Sequence, residues 1–136
     1  MREIKYRGMK ANGEWVVGYY LVHIPTDEHK IHYLSKILGM STAIVDKKTV
    51  GQYTDLKDKN GKEIYEGDII HGNLIKYSPL PTMGKIVWDN YYSAFANNND
   101  AGNTLLFEIN QMEIIGNIYE NPELISPKTD STPDCT

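Results

Sequence analysis

The turn pairs of this chain constrain its fold more than any other feature. Asn12-Gly13 and Asn60-Gly61 both favour tight reversals, because asparagine and glycine tolerate positive φ. Between such points the apolar residues come in short runs rich in aromatic and β-branched types. No segment carries a helix-length apolar stripe at helical spacing. The core therefore has to be assembled from strands.

Strands are expected at 4–7, 15–22, 30–34, 42–45, 49–53, 69–75, 84–89, 104–109 and 112–119. Residues 4–7 and 15–22 read as a hairpin closed at Asn12-Gly13. Lys47-Lys48 reads as a turn, 91–95 as a continuation past Asn90, and the asparagine-rich segment 97–102 as an exposed loop. Pro81, close to Pro79, restricts its segment to a loop or a sheet edge. Gly116-Asn117 interrupts the last strand as a bulge would. The expected fold is mainly β: a small SH3-like barrel, built from 68–75, 84–89, 104–108 and 112–119, or packed antiparallel sheets, with an additional N-terminal β lobe. Residues 1–122 are expected to form one compact β domain, or two small lobes near 1–56 and 57–122. Residues 123–136 read as a flexible polar tail.

Composition narrows the function classes. No run of 18 apolar residues occurs, and no apolar segment follows the charged start, so a soluble, cytoplasmic protein is expected. The single cysteine, Cys135, has no internal partner for a disulfide. Residues 1–60 hold ten basic and seven acidic side chains, whereas residues 61–136 hold four and eleven. That split argues against a broad basic footprint for duplex nucleic acid. It permits complementary pairing between copies of the chain. Ten tyrosines against two phenylalanines favour protein interfaces, where the ring packs and the hydroxyl stays wet.

The most patterned stretch runs from Gly51 to Ile70. Its part Asp58-Lys59-Asn60-Gly61-Lys62-Glu63-Ile64-Tyr65-Glu66-Gly67-Asp68-Ile69 resembles the signature of the YopX family of phage and prophage proteins. The start, Arg2-Glu3-Ile4-Lys5-Tyr6-Arg7, and the end, Ile115-Gly116-Asn117-Ile118-Tyr119-Glu120-Asn121-Pro122, resemble the family's opening and closing segments. The similarity spans about residues 2–124. It departs at Asp55, where the family pattern has glycine. If that position needs positive φ, aspartate can adopt it at some cost. The resemblance implies a β-rich fold, a phage or prophage origin and an oligomer. It implies no biochemical activity.

Four groups of residues could carry chemistry, and each has a plainer reading. The polar residues of 52–68 (Asp55, Lys57, Asp58, Lys59, Asn60, Lys62, Glu63, Glu66 and Asp68) could form a binding loop. Asparagine, aspartate and glycine also fix turns by local hydrogen bonds, which is the better account. The spacing is not that of an EF-hand, since Lys62 and Glu63 fall where an oxygen ligand and glycine are required. Glu66, Asp68 and Asp89 could make a carboxylate cluster, although nothing in the sequence sets them facing one another. His29 and His32, with Asp27 or Glu28, would hold zinc only on a helical turn; on a strand they point to opposite faces. His23 and His71 complete the histidines. Arg2, Lys5, Arg7 and Lys10, with Tyr6, Trp15, Tyr19 and Tyr20, could bind nucleic acid through a basic, aromatic β surface.

Ser35, Ser41, Ser78, Ser93 and Cys135 lack the setting of a nucleophile. Gly8, Gly13 and Gly18 precede no helix, so they make no phosphate loop. No catalytic set, metal or cofactor is therefore expected. The leading expectation is a non-enzymatic accessory protein acting through protein contacts as a homo-oligomer, with a possible host or phage protein as a further partner. The alternative is a nucleic-acid-binding module in phage regulation or replication.

Overall fold

A computed structural model describes residues 2–76 and 80–125. The described residues form eleven strands and two short 3-10 turns. They fall into two compact units that divide after Gly67.

The N-terminal unit contains β1 (Tyr6–Met9), β2 (Trp15–His23), β3 (Glu28–Ser35), β4 (Gly39–Ile44), β5 (Asp46–Lys57) and β6 (Glu63–Tyr65). They make one antiparallel sheet in the order β4-β3-β2-β1-β5-β6. Strand alternation sends Val16, Ile31 and Ala43 to one face, where they cluster with Val45 and pack against Tyr6, Tyr20, Tyr33 and Val50. β2 serves two partners in succession. Gly18 pairs with Tyr6 on β1, and Tyr19 pairs with His32 on β3. At this changeover a Cβ at residue 18 would lie 2.1 Å from the His32 carbonyl oxygen. Only glycine fits there.

The C-terminal unit contains β7 (Asp68–Leu74), β8 (Leu80–Asp89), β9 (Ala94–Asn99), β10 (Gly102–Leu105) and β11 (Ile109–Asn117). Their order is β10-β9-β8-β7-β11. Its buried side chains include Ile69, Ile70, Ile86, Ala96, Leu106 and Ile109.

The fold is mainly β, as expected, with one antiparallel sheet in each unit and not a closed barrel. Closure of the second sheet would require β10 to pair with β11. Instead the 3-10 turn at Leu106–Glu108 lets the chain leave one edge and return at the other. Four local expectations meet the structure differently. Lys47-Lys48 is not a hairpin turn but part of a register shift in β5, where Lys48 N–H donates to Asp46 Oδ1 and Thr49 hydroxyl to Asp46 O. Residues 97–99 are not an exposed loop. They end β9, and Asn97 is fully buried. Residues 104–109 are broken by the 3-10 turn. The division after Gly67 follows from β6, which pairs with β5 and so keeps 57–67 with the N-terminal sheet.

Pro81 does lie at an edge position: it faces Asn73 on β7, while β9 pairs with β8 only from Lys85 onward. A register shift between Ile114 and Gly116 supplies the expected bulge. Asp27, Asp55, Ser93 and Gln111 are the described non-glycine residues at positive φ. Asp55 stands at 68°, so this position does take the positive φ that glycine adopts without cost. Its Oδ1 accepts from Glu3 N–H at 3.3 Å. Asp55→Gly should leave stability within about 0.5 kcal/mol of the parent, while Asp55→Val should cost about 1–2 kcal/mol, because a β-branched residue resists this conformation. Urea denaturation of the two variants checks the ordering.

Candidate interaction face

The signature stretch is built as structure. Asp58 is buried, and its Oδ1 accepts from Asn60 N–H and Lys62 N–H, both at 2.9 Å. Gly61 N–H donates to Asp58 O at 2.9 Å, closing the turn between β5 and β6. Glu66 Oε1 accepts from Gln52 N–H at 2.8 Å, and Thr54 hydroxyl donates to Ile64 O at 2.8 Å. Lys57, Lys59 and Lys62 stay exposed around the turn. The polar side chains thus satisfy backbone groups that the tight reversal leaves unpaired.

Beside this turn the N-terminal cations meet aromatic rings. Lys5 Nζ lies 2.7 Å from Glu63 and 3.3 Å from Glu3, and sits 5.0 Å from the Tyr53 ring centre. The Arg7 guanidinium lies 4.5 Å from the Trp15 ring and 5.0 Å from that of Tyr65, and donates to Glu66 O. Lys10 pairs with Glu14 at 3.1 Å. Tyr6 and Tyr20 point into the core, so four of the expected nucleic-acid residues (Lys5, Arg7, Tyr6 and Tyr20) are engaged internally. Arg2 and Tyr19 are exposed.

Titration follows the same contacts. Burial would raise the Glu63 carboxyl, but hydrogen bonds from Lys5 and Tyr65, with the charge of Lys5, bring it below its ordinary value. Burial would lower Lys5, yet Glu63 and Glu3 raise it. Burial, then the Glu63 hydrogen bond and charge, push the Tyr65 hydroxyl strongly up.

The candidate carboxylates each serve local contacts. Glu66 is taken by Gln52. Asp68 is buried opposite Asn117, on the β11 side of its sheet. Asp89 lies towards the β10 side, where it receives Asn103 at 3.0 Å and caps the turn through Tyr91 and Tyr92 N–H. The histidines are dispersed. His29 stacks on and hydrogen-bonds Tyr20 and meets Asp27 at 3.2 Å; His32 contacts Thr42, His23 contacts Thr26, and His71 is exposed on β7. His29 and His32 lie on opposite faces of β3, as strand geometry requires. Among the described residues, no three His, Cys, Asp or Glu side chains converge as metal ligands would. Ser35 accepts from Ile37 and Leu38 N–H in the β3–β4 turn, Ser41 lies in β4, and Ser93 occupies a turn. Ser78, Cys135 and residues 126–136 of the tail expected over 123–136 fall outside the described residues, while Glu123 and Leu124 belong to the 3-10 turn Pro122–Leu124.

The sequence-based candidates omit the most conspicuous surface. Cross-strand register puts Tyr19, Leu21, Lys30, His32, Leu34, Met40, Thr42 and Ile44 on one face of β2, β3 and β4, with Lys30 between Leu21 and Ile44. Tyr19 is 64% exposed, Leu34 74%, Met40 52% and Ile44 58%. Leu21 and Val17 are also exposed, and Val17 shares the parity of Tyr19 on β2. Between this face and Ile4 runs an open groove of about 590 Å³, lined also by Val17, Tyr19, Leu34 and Met40. The signal lay in the run Trp15-Val16-Val17-Gly18-Tyr19-Tyr20-Leu21-Val22, which is apolar at both parities. Such a strand calls for cover on both faces. Among the described residues one face is covered and the other is exposed.

These features define a mainly β chain whose polar signature builds a turn and whose N-terminal sheet presents an uncovered apolar face. The chain belongs to the YopX family of phage and prophage proteins: the family described as YopX protein matches residues 5–126. The chain is also similar to the crystal structure of protein EF1440 from Enterococcus faecalis, with 25% sequence identity and a TM-score of 0.55, over 93% of this chain and 100% of that one. No curated protein matches it. Among the described residues no helix is long and apolar enough to cross a membrane.

Because the Glu63 carboxyl is held low, the stability it contributes is full above about pH 4.5 and is lost as pH falls through the lowered value. Lys5, held high, contributes below pH 10.5 and loses its contribution as pH rises through the raised value. Glu63→Gln should cost about 1 kcal/mol at neutral pH and flatten the acid-side fall. Thermal melts of both proteins across the acid range check this.

Proposed function

We propose that this chain is a non-enzymatic phage or prophage accessory protein that works through protein contacts and self-associates. The observation that carries the reading is the outer face of β2, β3 and β4. Monomeric proteins rarely leave a contiguous apolar patch of several hundred Å² uncovered unless a partner uses it. Here Val17, Tyr19, Leu21, Leu34, Met40 and Ile44 contribute to one sheet surface; of its polar members, His32 and Thr42 hydrogen-bond each other at 2.9 Å and Lys30 pairs with Glu28 at 3.5 Å. A sheet face of this kind suits burial against a second apolar layer.

The nucleic-acid alternative draws less support. Lys5, Arg7 and Lys10 already answer Glu63, Glu3, the Glu66 carbonyl and Glu14. A phosphate-binding surface needs cations that are free to exchange their counterions.

Light scattering on chromatographed protein, over a range of protein and salt concentrations, tests the reading. A discrete oligomer that persists on moderate dilution is expected. Tyr19→Ser combined with Leu34→Ser, which leaves the inner cluster intact, should lower the mean mass at equal concentration. A monomer throughout the range would overturn the reading and direct the next measurement to nucleic-acid binding.

A further inference from the structure

We infer that two copies of this chain join edge to edge through β4, in antiparallel register about Thr42. The inference rests on the self-association reading and specifies how the copies meet.

β4 ends its sheet, with β3 on one side and no described strand on the other. Val45 N–H donates to His29 O at 2.9 Å, which sets the phase of the β3–β4 ladder. In an antiparallel ladder, pairs that exchange backbone bonds alternate with pairs that do not. Residues 39, 41 and 43 therefore bond to β3, and Met40, Thr42 and Ile44 turn their N–H and C=O groups outward. The side chains of these three residues also lie on the apolar outer face.

Sheet edges are ordinarily blunted by shortness, charge, proline or bulges. The other described edges show such devices. β6 has three residues and begins with Glu63, β10 has four, and β11 carries Glu113 and two register shifts. β4, Gly39-Met40-Ser41-Thr42-Ala43-Ile44, has no charge, proline or bulge over six residues.

The occupant that best suits this edge is a second β4. Antiparallel pairing centred on Thr42 sets Met40 opposite Ile44 in both directions, so every outward position meets an uncharged partner. A two-fold interface requires self-complementarity of this kind. The three outward pairs would exchange about six backbone hydrogen bonds, two for each bonded pair. The apolar faces of the two copies would then adjoin as one surface.

Two measurements test the inference. In the first, amide hydrogen exchange is followed at low and high protein concentration. The Met40, Thr42 and Ile44 amides should slow by about a hundredfold as the oligomer forms. In the second, light scattering compares Thr42→Pro, which removes an outward donor without touching the β3 ladder, with Thr42→Val, which keeps it. The proline variant should lose the oligomer and the valine variant should keep it. An oligomer whose three amides exchange as fast as in the dilute protein would overturn the β4 edge while leaving self-association standing. A parent protein that stays monomeric would overturn both. The exchange measurement uses the unaltered chain and decides the matter even if the proline variant fails to fold.

Discussion

The change of partner on β2 at Gly18 is the constraint on which the N-terminal unit depends. One strand gives its first half to β1 and its second half to β3, and the switch brings the His32 carbonyl into the space a side chain would occupy. The changeover sets Tyr6 and Tyr20 together, with ring centres 5.5 Å apart, on the cluster of Val16, Ile31, Ala43 and Val45. It also turns the opposite face of β2, β3 and β4 outward as a surface with its own apolar lining. Core and candidate interface are therefore two sides of one strand arrangement. A substitution at Gly18 would disturb both.

The signature stretch shows how polar residues can resemble a binding loop while being spent on backbone geometry. Asp58 satisfies two N–H groups of its turn, and Glu66 takes the Gln52 N–H from the neighbouring strand. Glu63 neutralises Lys5, whose ammonium lies against Tyr53. Each of these groups is at least partly removed from water, where an unpaired charge or donor would cost several kcal/mol. The density of charge in this stretch is what a tight strand reversal over buried Ile64 and Tyr65 requires.

Local chemistry made much of this legible from sequence. Turn pairs marked the β5–β6 reversal, and proline marked an edge position. What escaped was decided by pairing across the sheet. Asn97 reads as loop because asparagine is a turn former. Its burial comes from Gly84, where a Cβ would stand 2.6 Å from Asn97 Oδ1. Lys47-Lys48 reads as a turn, although Asp46 organises a bulge there. Tyrosine abundance pointed to an interface, yet Tyr53 and Tyr65 are buried and Tyr6, Tyr20 and Tyr33 pack on the core; of the outer-face residues only Tyr19 is a tyrosine. The aliphatic residues of that face, hidden in a run apolar at both parities, carry the better signal. The YopX resemblance supplied the family and a β-rich fold but no site, because its motif residues build the turn.

Magnitudes decide how strongly such a chain can associate. The six outer-face residues are about half exposed, so covering them is worth about 1 kcal/mol each, or about 6 kcal/mol per copy. Six edge hydrogen bonds add about 3–9 kcal/mol net. Loss of translational and rotational freedom costs about 4–15 kcal/mol. Either surface alone therefore stands close to balance and would give a weak, concentration-dependent contact. Edge pairing sets the two faces side by side as one surface of about twice the area, so a further layer that covers it gains both burials for a single loss of freedom. The outward groups of β4 and the apolar face share Met40, Thr42 and Ile44, so the geometry that aligns one contact also positions the other.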